Sequence, residues 1–335
     1  MTNREIESAK LFTKCKKKGI SSIDICYHPK CTEKSINSHI LQKNGILSKI
    51  ATDRHLYELK INSFKETKMQ FKRTGINDIF SFNCFCKKHD TELFKKIENN
   101  KIDFDDYESC LLFTLRTIYN EIWRKEVNIK MFDCLLQENP FQFNNPYFLE
   151  YVRQEKLGLK DLKLTESEIW KDLDKGTESY VFENRKMTKI DLCLSAFYNY
   201  ETTEELHKYR IKFGKDMERV SEIFINIFPY EDKSILLSGY NKKNESKVKG
   251  YFNTFFKENE KRVQRKLTNL MLFQCETWVV SEYLYNTKIK GIEKIFANGV
   301  KLSCNNPNER QTFDLNIYKD SFKKDYEKWN KKYVG

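Results

Sequence analysis

The sequence predicts an α+β fold in two parts: a small Cys- and His-rich domain over residues 1–100, then a larger, mostly helical domain with a few strands over residues 101–335. Three observations carry that prediction. Four of the five histidines and four of the ten cysteines fall between residues 26 and 89. At about Tyr107 the apolar pattern changes from strand-like alternation to a helical stripe. Beyond it, helical runs are interleaved with short stretches rich in β-branched and aromatic residues. At roughly 100–200 residues per domain, the length itself suggests about two domains, each large enough to bury a core.

In chain order, residues 4–18 read as a short basic helix, and Ser35–Leu41, Arg54–Ile61 and Lys68–Ile76 as strands. Asp90–Glu98 puts Leu93, Phe94 and Ile97 on one helical face. From Tyr107, the positions Cys110, Leu111, Phe113, Leu115, Ile118, Ile122 and Trp123 form the apolar stripe of a long helix. Asp103, Asp105, Asp106 and Glu108 precede it, where carboxylates cap the positive end of a helix dipole. Residues 187–197 and 223–237 contain strand-like runs, and 249–272 is helical, with Phe252, Phe255, Phe256, Val263, Leu267, Leu270 and Met271 at helical spacing. Near the C-terminus Tyr326, Trp329 and Tyr333 are mixed with lysines, a pattern that could stack on unpaired bases and that a docked terminal helix would use for packing, the reading preferred here.

The composition, 39% hydrophobic and 32% charged, suits a globular, soluble chain. No stretch reaches the roughly 18 apolar residues of a membrane span, and the N-terminus lacks the apolar segment of a signal peptide. A cytoplasmic location follows as an expectation, and with it ten cysteines read as reduced thiols, some buried and some on a metal. A net charge of +12 favours polyanions, with nucleic acid the first partner to consider and a protein partner a second. There is no phosphate-binding glycine loop, dinucleotide fingerprint or nucleophile elbow, so the sequence gives no support for nucleotide hydrolysis, redox-cofactor or esterase chemistry.

The Cys/His region has internal order. Cys26-Tyr-His-Pro-Lys-Cys31 is a C-x4-C turn tightened by Pro29, and Cys86-Lys-Lys-His89 is a C-x2-H pair at the opening of a helix. Each pair can aim two donors at one point, and two such pairs supply the tetrahedral set that a structural zinc ion takes. Cys84 is an alternative to Cys86, and His28 an alternative donor from the first turn. One pair from a turn and one from a helix's first turn make a treble-clef, ββα-like arrangement. His55 reads as a surface residue, and so does His207, although His207 with Lys208 and Arg210 could touch phosphate.

Between the pairs lies Ser35-Ile-Asn-Ser-His39-Ile-Leu-Gln. A ligand turn, a strand ending in Ser-His-Ile and a ligand pair opening a helix together resemble the HNH, or His-Me finger, nucleases over about residues 22–98. The resemblance implies that His39 is the general base that activates water. It implies that Asp90 holds a catalytic Mg2+ or Mn2+, and that Cys26, Cys31, Cys86 and His89 hold the structural zinc. Ser38 stands where the family usually has Asp, Asn77 and Asn83 are both candidates for its middle asparagine, and the long gap between ligand pairs requires an inserted hairpin from residues 54–74. Proteins of this kind resemble bacterial restriction and anti-phage effectors in context.

Residues 242–266 are rich in Lys and Arg, and on a helix Arg262, Arg265 and Lys266 share one face suited to phosphates. Two functions are therefore expected: a metal-dependent HNH-like nuclease whose rear domain senses a partner or grips substrate, or a non-catalytic zinc-scaffolded module that binds nucleic acid or protein.

Overall fold

A computed structural model describes residues 3–61, 69–99, 101–199, 219–296 and 315–333. The first part of the chain forms α1 (Asn3–Ser21), β1 (Asn37–His39), β2 (His55–Ile61), β3 (Met69–Gly75), β4 (Ser81–Asn83) and α2 (Lys87–Leu93). Two long helices follow, α3 (Tyr107–Glu138) and α4 (Pro146–Lys175), then β5 (Tyr180–Met187), β6 (Leu192–Tyr198), β7 (Ile223–Tyr230) and β8 (Lys233–Asn241). The chain continues through α5 (Glu245–Phe256), α6 (Glu260–Phe273) and β9 (Trp278–Val280) to α7 (Phe322–Tyr333).

Local chemistry explains most of these boundaries. Of the acidic cluster, Asp106 is the cap of α3 and accepts the backbone N–H of Ser109 at 2.7 Å. Helix α4 starts with Asn145 accepting from Phe148 N, has Pro146 in its first turn and ends at Gly176, whose φ of +63° suits a residue without a Cβ. The single helix expected over 249–272 is two, because Asn259 leaves the helical conformation and caps α6 through Arg262 N. The strand expected at Ser35–Leu41 shortens to β1, and the helix expected at Asp90–Glu98 begins earlier, at Lys87. Strand β5 is absent from the sequence reading, and the run at 187–197 divides between the end of β5 and β6. His207 lies outside the described residues.

The main sheet has seven strands in the order β3-β2-β9-β6-β7-β8-β5, with antiparallel neighbours throughout. Both faces are buried, so β7 and β8 read as nearly continuous apolar runs. Phe224, Phe228, Ile235, Leu237 and Val279 pack with α3 and α4, whereas Ile223, Ile225, Ile227, Leu236 and Val280 pack with α5, α6 and α7. The sheet crosses residue 100: β2 and β3 reach it through pairing of Tyr57 with Val280 and Glu58 with Val279. The core on the α3 face likewise holds Cys26, Ile40, Phe82, Cys86 and Phe94 from the first hundred residues.

Helix α1 runs antiparallel to α3 at close range. A Cβ on Gly19 would lie 2.8 Å from the Val127 carbonyl, so glycine is what permits the approach. That approach brings Cys15 and Cys134 to a Cα separation of 5.5 Å and joins them in a disulfide, a departure from the reduced-thiol reading of all ten cysteines. Among the described residues no helix is long and apolar enough to cross a membrane.

Candidate metal centre

The chain from Ile25 to Lys34 closes on itself as a small knuckle, with an Ile25–Lys34 bridge, Cys26 N bonded to Glu33 O at 2.9 Å and Cys31 N to His28 O at 3.0 Å. Lys30 takes the left-handed φ of +64° that completes the turn. Tyr27 N donates to Cys84 O and Ile36 N to Phe85 O, which lays the knuckle beside the end of β4. Cys86 then caps α2 and His89 stands in its first turn.

These two segments bring Cys26, Cys31, Cys86 and His89 together, with one donor atom of each within 4.8 Å of all the others. His89 Nδ1 is 3.4 Å from Cys26 Sγ and 3.3 Å from Cys86 Sγ, and Cys31 Sγ is 4.0 Å from Cys86 Sγ. A tetrahedron with bonds of about 2.3 Å to sulfur and 2.0–2.1 Å to nitrogen has edges of about 3.6–3.8 Å. The donor set and its spacing therefore fit a metal ion. Cys84 and His28 are outside this cluster. Cys84 is fully buried, which pushes its thiol well up. His28 bonds Pro29 O through Nδ1 and stacks on His89, with centroids 3.7 Å apart.

The electrostatics suit deprotonated ligands in part. The His89 backbone N–H lowers the Cys86 thiol, whereas burial pushes Cys26 up to about 11. Burial, with help from His28 and Lys88, keeps His89 below the ordinary histidine range, hence neutral and able to donate a lone pair. The knuckle is braced against the long helices: Tyr27 Oη donates to Glu126 at 2.5 Å, Tyr119 Oη to Tyr27 O at 3.2 Å, and Trp170 meets His28 edge-on at 5.0 Å.

Strand β1 pairs with β4 as a two-stranded ribbon, His39 opposite Ser81 and Asn37 opposite Asn83, so these four side chains share a face. Ser38 points the other way; it is buried, and its Oγ accepts from Phe85 N at 3.4 Å. His39 is half-buried, and its Nε2 is 2.7 Å from Ile76 O. A carbonyl only accepts, so Nε2 carries the hydrogen and Nδ1 the lone pair. His39 is lowered from the ordinary histidine range, chiefly by burial, with Lys43 and Arg116 adding to the effect and the Ile76 bond and Asp90 opposing it. Asp90, next to His89 on α2, is half-buried with its Oδ1 wholly enclosed and without a hydrogen-bond partner among the described residues. Asn77 is turned aside: its Oδ1 accepts from Arg54, and its carbonyl accepts from Asn37 Nδ2.

The basic face on α6 is elsewhere. Its apolar residues pack on the sheet face opposite the metal cluster. Arg262 is exposed and paired with Glu258 at 2.9 Å, and Arg265 is half-buried. Lys266 lies 3.5 Å from the Tyr251 ring centroid and donates to Thr254, so its ammonium serves the α5–α6 packing. Tyr326 and Trp329 are buried against Phe273, in keeping with a docked α7. The sequence reading passed over Arg116, a buried arginine that pairs with Glu98 and is the single formal charge in α3 between Glu108 and Glu121. A charge inside an apolar stripe is the signal that could have found it.

Comparison with protein-family models, curated proteins and solved structures finds no match to this chain.

Proposed function

We propose that this chain is a metal-dependent nuclease of HNH-like type, with a treble-clef zinc site on Cys26, Cys31, Cys86 and His89, a base at His39 and a divalent-ion ligand at Asp90. Zinc is the ion favoured by three thiolates and an imidazole in a closed set, because it takes soft and borderline donors in a tetrahedron. The knuckle, the β1–β4 ribbon and α2, in that order, support the treble-clef reading.

One observation carries the catalytic reading. The Ile76 carbonyl holds the Nε2–H of His39, which leaves Nδ1 with a lone pair, and α2 carries, within electrostatic range of that ring, a carboxylate oxygen of Asp90 that no group among the described residues satisfies. A buried carboxylate oxygen without a donor points to a cation or water. His39 would take the proton of a water attacking a phosphodiester, and its depressed affinity for protons keeps it in the accepting form at neutral pH. A Mg2+ or Mn2+ ion on Asp90 would supply stabilisation of the charge that develops on the phosphate.

A second reading, a zinc-scaffolded binding module without catalysis, draws on Ser38. The side chain before His39 is turned into the core, so it offers no ligand on the His39 face. Cleavage assays separate the two. With Mg2+ or Mn2+, the wild-type protein should cut DNA or RNA. His39→Ala should lower the rate by about a hundred- to ten-thousand-fold with metal content and melting unchanged. No cleavage of either nucleic acid across divalent ions, or an active His39→Ala, would leave the binding module as the reading.

A further inference from the structure

Helices α3 and α4 and the ends of β6 and β7 enclose a cavity of about 560 Å3 that the candidate metal centre does not use. That volume falls within the range of about 300–1000 Å3 in which small-molecule ligands bind. Glu121, which lines the cavity, and Glu126, which braces the knuckle, are five residues apart on α3, about 140° around the helix. The cavity and the metal centre therefore take different sides of the helix pair.

The walls are tied together by charged side chains. Arg219 donates to Glu222 at 2.5 Å and to Thr165, and lies 3.8 Å from Glu168. Thr165 also donates to Glu222 at 3.2 Å, so this carboxylate, only 3% exposed, is held from two elements. Lys125 reaches Glu155 at 3.2 Å by crossing Gly158, where a Cβ would come within 3.0 Å of its Cε, so the glycine gives the side chain its path. Glu121 is engaged by Arg124 at 3.1 Å. Two charged groups of the lining remain unengaged: Asp161 and Lys160 form no ion pair or side-chain hydrogen bond among the described residues. Asp161 is half-buried and Lys160 exposed. Burial holds the Asp161 carboxyl above the usual range although Arg219 and Lys160 oppose it, so a ligand's N–H would meet an acceptor with little else to bind. Beside these groups Phe197, Leu157, Leu164 and Val220 make an apolar side.

Three cations and three carboxylates line the cavity, which disfavours both a simple cation and a simple anion. The ligand that fits is neutral and planar against Phe197, carries N–H donors for Asp161 and ends in negative charge for Lys160. A nucleotide has that make-up. Among the bases, guanine places two neighbouring N–H donors on its Watson–Crick edge, which match both oxygens of one carboxylate, an acceptor only. Adenine and cytosine set an acceptor beside their amino group, which a carboxylate repels.

We propose that this cavity binds a guanine nucleotide, with the base edge on Asp161, the ring against Phe197 and the phosphate on Lys160. The chemistry is the same for a free nucleotide and for an unpaired guanosine in a strand. The test is calorimetric titration of the metal-loaded full chain with GMP, AMP, guanosine and a uridine oligonucleotide with or without one central guanosine. GMP should bind about ten-fold or more tighter than AMP. Asp161→Ala should weaken GMP by a similar factor with melting unchanged, and Asp161→Asn should favour xanthosine monophosphate, whose C2 carbonyl accepts from the new amide. Lys160→Ala should weaken GMP and leave guanosine unchanged. Tighter binding of the guanosine-bearing oligonucleotide than of GMP assigns the site to a strand, and the reverse assigns it to a free nucleotide. No binding of any guanine ligand, equal affinity for GMP and AMP, or wild-type GMP affinity in Asp161→Ala overturns the proposal. These readouts need no turnover, so they stand apart from the nuclease reading.

Discussion

Replacing Cys86 with Ser removes the donor that sits 3.3 Å from His89 Nδ1 and 4.0 Å from Cys31 Sγ, and so touches both ligand pairs. A structural zinc site binds with about 10–16 kcal/mol at neutral pH. One ligand of four is then worth about 3–4 kcal/mol, a loss of about two to three orders of magnitude in affinity. Because the bound ion stabilises only the folded knuckle, the same energy is withdrawn from the fold. For a chain of this size that lowers the melting midpoint by about 5–10 °C if the domain melts as a unit. The knuckle touches α4 through His28 and Trp170, so Trp170 should report the change. The assays are metal content by elemental analysis, calorimetry and tryptophan fluorescence with and without a chelator. Cys86→Ser that keeps one zinc per chain, an unchanged midpoint and wild-type fluorescence would refute the four-ligand site.

Four further outcomes are expected. Metal should be released as pH falls, because the buried Cys26 thiol, high at about 11 without metal, retakes its proton readily; chelator-free metal content across pH 4–8 checks this. His39 is lowered in the folded state, so below its ordinary value of 6.5 the unfolded chain binds the extra proton and stability declines as pH falls. That decline should be shallower in His39→Ala by calorimetry. A reductant should lower stability by about 5 kcal/mol in the chain-entropy treatment of the Cys15–Cys134 link, which spans 119 residues, as read by denaturant melts. Asp106→Ala should cost about 1 kcal/mol through loss of the Ser109 cap, with the Lys96 ion pair at 2.9 Å adding little because it is largely exposed.

The basic face of α6 bears on the substrate question separately from the metal centre. If nucleic acid binds there, affinity should fall steeply with salt and fall further in Arg262→Glu with Arg265→Glu, measured by titration at several ionic strengths. Lys266 is engaged with Tyr251 and Thr254, so Lys266→Glu would also disturb the α5–α6 contact and is the poorer probe.

The sequence by itself determined what short-range chemistry governs. The C-x4-C turn and the C-x2-H helix opening pick out the two segments whose donors can meet at one point, because each pair converges within one turn of chain. The Asp106 cap and the long stripe of α3 are legible for the same reason. Tertiary structure decided what depends on distant partners. Cys84 and Cys86 are equivalent in spacing, and only the fold turns one into the core and the other toward His89. Strand β5 has no clear alternation of its own, and pairing with β8 along Tyr180–Asn241 to Met187–Ser234 gives it its place. Whether His39 presents a lone pair or a hydrogen rests on the Ile76 carbonyl, 37 residues away, and its proton affinity is lowered chiefly by burial in the assembled fold. Hydrogen-bond direction and burial are properties of the assembled neighbourhood, and no pattern of residue spacing encodes them.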